Sequence, residues 1–88
     1  MAKKVGQLEA ASYIRKALVE RGHNIASRSK IVRGEEQWLV FEHKQRSVGV
    51  DAGSGLWIKE SEEGEWRYLE KPSTVGSALE AVEFLIRD

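Results

Sequence analysis

The sequence predicts an α+β fold of two layers: an antiparallel five-strand meander with N-terminal and C-terminal helices packed on one face, in the order α-β-β-β-β-β-α. Apolar residues recur at helical spacing at both ends of the chain, and between them that period gives way to short segments broken by Gly, Lys and Glu. The breaks are too short to join anything but antiparallel neighbours. With 88 residues there is room for one domain, 1–88, which buries roughly 60% of the surface its unfolded form exposes.

The first helix is expected from about Val5 to Arg21. Leu8, Ala11, Ile14 and Leu18 repeat at steps of three and four, Glu9, Arg15, Lys16 and Glu20 fall mainly elsewhere, and Gly22 and Asn24 supply the stop. Five strand-like segments follow: Ile25 to Arg33, Gln37 to His43, Ser47 to Asp51, Leu56 to Glu60 and Trp66 to Glu70. The turns between them are read at Gly34-Glu35-Glu36, Lys44-Gln45-Arg46, Ala52-Gly53-Ser54-Gly55 and Glu62-Glu63-Gly64. Pro72 ends the last strand, Ser73 or Thr74 caps a second helix, and Ser77 with Glu80 forms a capping box. Val75, Ala78, Leu79, Val82, Leu85 and Ile86 give that helix its apolar stripe. Laying both helical stripes on one sheet face buries them and leaves the other face open.

Alternation along a strand makes the aromatic residues either core or surface, depending on register. If Glu63-Gly64 is a two-residue loop, Ile58 faces Leu69, Lys59 faces Tyr68 and Glu60 faces Arg67. If Glu62-Glu63-Gly64 is a three-residue loop, Ile58 faces Tyr68 and Lys59 faces Arg67, setting two cations side by side. Both registers stand at this point. The first places Trp57, Lys59, Trp66 and Tyr68 on the open face, joined by Trp38 if Leu39 and Phe41 point to the helices.

Charge divides along the chain. Residues 1–50 carry ten Lys and Arg against five Asp and Glu, net +5, and residues 51–88 carry four against nine, net −5, although the whole is neutral. Arg15, Lys16, Arg21, Arg28, Lys30 and Arg33 could form a cationic strip, with Arg28 and Lys30 on one strand face. The order of elements is similar to that of the double-stranded-RNA-binding domain. That resemblance implies a basic patch at the start of the last helix, and Ser73 to Glu80 contains no cation, so it stays an analogy of element order.

Chemistry is thin. The chain has no Cys, which removes disulfides, thiolate metal sites and Cys nucleophiles and suits a reducing compartment. Its two histidines, His23 and His43, show no zinc-ligand spacing, and His43 with Glu42 and Asp51 is the sole trio with a catalytic look. Gly53-Ser54-Gly55 leads into a strand-like run, where a phosphate cradle requires a helix. The acidic run Glu60, Glu62, Glu63 and Glu65 reads as a solvated hairpin tip. Apolar runs fall far short of the roughly 20 residues of a membrane span, and no apolar signal core follows the basic start.

The expectation is therefore a cytoplasmic, non-enzymatic binding module with no catalytic residue, metal or cofactor and no membrane partner. It is expected to recognise another protein, or its own copy in a homodimer, through the open sheet face or a sheet edge. The second reading is nucleic-acid binding on a basic and aromatic sheet surface. Candidate binding residues for the two readings are Trp57, Lys59, Trp66, Tyr68, Trp38, Arg28 and Lys30.

Overall fold

The computed structural model describes residues 6–70 and 75–87. Helix α1 (Gln7–Glu20) is followed by β1 (Arg28–Arg33), β2 (Glu36–His43), β3 (Arg46–Val50), β4 (Leu56–Lys59), β5 (Arg67–Glu70) and helix α2 (Val75–Ile86). The strands form one antiparallel sheet in chain order, β1-β2-β3-β4-β5. Both helices pack on the same face, against each other and over β2, β3 and β4, so the α+β two-layer expectation holds.

Helix α1 buries Ala10, Ala11, Ile14, Ala17 and Leu18. Leu8 was expected on this stripe but is 76% exposed. It stands six residues from Ile14, which at about 100° per residue carries it some 120° round the helix. Leu79 lies six residues before the buried Leu85 and is 37% exposed for the same reason. The α2 stripe buries Ala78, Val82 and Leu85 as expected and adds Ala81 and Phe84, with Ile86 partly buried against it. The start of α1 is pinned to the sheet by Gln7, whose Nε2 donates to the carbonyls of Gln37 and Val50. Its end closes as expected at Gly22, φ +82°: the Gly22 N–H donates to Val19 O and the His23 N–H to Leu18 O, a Schellman pair. The caps expected at Ser73, Thr74 and Ser77, the stop at Pro72 and the stripe residue Val75 lie outside the described residues or side chains.

Phe41, Val48, Val50, Leu56 and Ile58 form the sheet's share of the core beneath the helices. Strand β1 begins later than expected, at Arg28; residues 25–27 make no ladder, although Ile25 packs against the core. The final hairpin follows neither expected pairing. Trp57 lies opposite Tyr68 and Ile58 opposite Arg67, with a bulge between Leu56 and Trp57, and Trp66 falls in the connecting loop. Relative to the two-residue-loop register the strands are displaced by two residues. An even shift preserves the side-chain parity, so Trp57, Lys59 and Tyr68 share the open face as that register required.

Because the meander keeps chain order, the two edges of the sheet differ in charge. Strand β1 holds three Lys and Arg and no Asp or Glu; residues 56–70, at the β5 side, hold two against five. Four inter-strand gaps separate the two edges, about 19 Å.

Candidate functional site: the aromatic face and the β1 edge

All seven candidate residues lie on or beside the open face. Trp38, Val40 and Glu42 point there from β2, opposite the parity of Phe41; Arg28 and Lys30 pair with Val40 and Trp38; Trp57 and Lys59 come from β4 and Tyr68 from β5. Trp66 reaches the group from the β4–β5 loop.

The aromatic rings are packed against one another. Trp38 lies 5.2 Å from Trp57 and 5.4 Å from Trp66 between ring centroids, and Trp57 lies 4.9 Å from Tyr68. These separations, with tilted and edge-to-face angles, are the ones aromatic pairs prefer. Trp38 is 1% exposed, Trp57 and Trp66 are half-buried, and Tyr68 is 46% exposed. The indole N–H of Trp38 donates to Glu36 Oε1 at 2.9 Å and that of Trp57 to Asp51 Oδ2 at 2.7 Å. Lys59 Nζ stands 5.0 Å over the Trp66 ring, a cation–π distance. The face is a second, aromatic core, and Trp38 is sealed inside it rather than offered as a platform.

Gly49, which sequence reasoning passed over, and Asp51, which it read only beside His43 and Glu42, hold this cluster together. Gly49 lies under it: a Cβ there would sit 2.8 Å from Trp38 Cε3 and 3.2 Å from Trp66 Cζ3. Asp51 accepts the N–H groups of Gly53 and Gly55 on Oδ1 and the Trp57 indole on Oδ2, so the loop taken for a plain turn is a tied Asx structure. The signals were available as a glycine in mid-strand and an Asp followed by two alternating glycines.

The His43, Glu42 and Asp51 side chains do not share one face. His43 shares the helix-side parity of Phe41, while Glu42 and Asp51 lie on the other face, Glu42 bound to Lys30 and Asp51 to its own loop. His43 instead meets His23 edge-on at 5.2 Å. Partial burial, then His23, Lys44 and Arg46, hold its pKa below the ordinary histidine value of 6.5. The nearby Arg46 donates to the Phe84 and Arg87 carbonyls and lies over the Phe84 ring, so it closes the end of α2. Among the described residues, no group of three or more His, Asp or Glu is placed to hold a metal ion, and no helix is long and apolar enough to cross a membrane.

The expected cationic strip is divided by the sheet. Arg15 and Lys16 are exposed in the helix layer, whereas Arg28 and Lys30 project from the opposite face. Lys30 Nζ is 3.0 Å from Glu42 Oε2, an exposed pair, and Arg28 makes no ion pair among the described residues.

Strands β1 and β5 are the two edges of the sheet: no described strand pairs the outer side of either, and the helix layer is centred over β2 to β4. Strand β1 is the longer edge, six residues against four. On the helix-side parity β1 carries Ser29, which accepts a hydrogen bond from the Gln37 side chain, and Ile31, which is 63% exposed. The strand thus offers backbone N–H and C=O groups along its edge, two cations on one face and a bare aliphatic side chain on the other.

No protein-family model, curated protein or solved structure matches this chain, so function is read from this geometry.

Proposed function

We propose that this chain is a non-enzymatic binding module that recognises another protein by adding a segment of it as a sixth strand along β1. The observation that carries the reading is the β1 edge, which no described strand pairs, with Ile31 63% exposed beside it. A long edge strand left bare is an aggregation hazard, and its cations both guard it and select what pairs there. The aromatic face supports the edge, since Trp38 ties β2 to the rest of the sheet and β2 holds β1 in place. A second copy is the poorer occupant. Two β1 strands running antiparallel in one continuous sheet would set Arg28 and Lys30 against their own counterparts, and like charges directly opposite are destabilising.

The test uses proline. Neighbouring strand residues point their N–H groups alternately inward and outward, so of Ser29→Pro and Lys30→Pro one removes a ladder hydrogen bond and the other an outward donor. A panel of extended peptides, acidic, neutral and basic, is titrated against both variants and the parent. Binding that is lost in the proline variant whose circular dichroism and melting match the parent supports strand addition. Binding that survives in that variant contradicts it. A single-stranded oligonucleotide titrated at low salt is the control: tight binding there that needs Trp57 and Trp66 overturns the protein-partner reading in favour of nucleic acid.

A further inference from the structure

We infer that the strand accepted by β1 is an acidic one, with carboxylates at alternate positions and aliphatic residues at the positions between and beside them; this rests on the strand-addition reading above. Arg28 and Lys30 are two residues apart on one face of β1. Side chains two apart on a strand are separated by about 6.8 Å, and an incoming strand repeats that spacing, so Asp or Glu at positions i and i+2 of the segment stand opposite both cations. Residue i+1 stands opposite Ser29, and the residue next beyond the carboxylate that faces Lys30 stands opposite the exposed Ile31 on that same other face, where an aliphatic side chain covers it.

The charges are free to take this role. Arg28 has no ion-pair partner among the described residues. Lys30 is bound to Glu42, but the side chains are 44% and 39% exposed, and an exposed pair is held too weakly to resist exchange for a carboxylate arriving in register. The sequence of β1 agrees: it carries Arg28, Lys30 and Arg33 and no Asp or Glu, and such a field draws acidic segments in and repels basic ones.

The experiment compares three labelled octapeptides of alternating sequence, Glu-Val, Gln-Val and Lys-Val, by fluorescence anisotropy with the whole chain. The Glu-Val peptide is expected to bind about ten-fold tighter than Gln-Val at about 50 mM salt, with the preference shrinking at about 300 mM. Arg28→Glu with Lys30→Glu is expected to reverse the order in favour of Lys-Val. Arg28→Gln with Lys30→Gln, which introduces no new charge, is expected to level the Glu-Val and Gln-Val affinities and guards against a misfolded double variant. Equal binding of Glu-Val and Gln-Val to the parent overturns the acidic specificity and leaves strand addition standing. Binding of none of the three overturns both. Glu-Val binding that ignores the Arg28 and Lys30 variants overturns the inference by placing the acidic site elsewhere.

Discussion

On one face of the sheet Phe41, Val48, Val50, Leu56 and Ile58 lie beneath two helices; on the other, Trp38 is as deeply buried, packed among the described residues by Trp57 and Trp66 and by no helix. The helix-covered face is aliphatic and closed by a second layer of backbone. The aromatic face is closed by large rings folded over a glycine, with Asp51 and Glu36 holding the indole N–H groups. An open sheet face therefore need not be a free one. In a domain this small, two Trp and one Tyr do the covering work of a missing third layer, and the surface left for a partner moves outward to the β1 edge.

That comparison is most directly broken by truncating one side chain on each face. Trp38→Ala and Phe41→Ala are each expected to lower stability by about 3–5 kcal/mol in denaturant unfolding, since each empties a sealed site. A Trp38→Ala cost below about 1 kcal/mol would mean that the aromatic face is not a core. Gly49→Ala comes next, at about 1–3 kcal/mol, because its methyl group enters the space of the Trp38 ring; near-parent melting of this variant would show that the cluster yields easily.

The hairpins sharpen the comparison further. The β1–β2 turn places Gly34 at φ +55° and the β2–β3 turn places Lys44 at φ +57°, and Lys pays a steric cost there that Gly does not. Lys44→Gly is expected to stabilise by about 0.5–1 kcal/mol, and a destabilised variant would refute the turn assignment.

The smallest effect is a pH dependence. The lowered pKa of His43 means that the unfolded chain binds more protons between the folded value and 6.5, so stability rises with pH across that window and is lost as pH falls below about 6.5. His43→Gln is expected to flatten this part of the curve in thermal melts recorded at a series of pH values; an unchanged slope would assign it to other groups.

The fold was largely legible because parity and turn length are local properties. Alternation in β2 tied Leu39 and Phe41 to one face and Trp38 to the other, and the short turns dictated the meander. The last pairing was not legible. Lys59, Trp66 and the acidic run between them allow several loop lengths, and the one adopted lets Trp66 leave the strand to pack on Trp38 and Gly49, a tertiary gain that no local rule reports. The same blindness applied to the candidate site. Only one of the two open registers put Trp57, Trp66 and Tyr68 on one face, with Trp38 joining on a condition, and whether aromatic rings lie open or lean on one another depends on ring packing across four segments of chain. Arg28 and Lys30 were read as two members of a longer strip, and only the position of α1 above the sheet and β1 at its edge separates them from Arg15 and Lys16.

Amide hydrogen exchange along the sheet, measured with and without the alternating Glu-Val peptide, tests the role of β1 most directly. Strand addition predicts that alternate β1 amides exchange fast in the free protein and become protected when the peptide is bound, with the amides of β3 and β4 unchanged. Protection that appears on β4 or β5 while β1 stays as it was would contradict it.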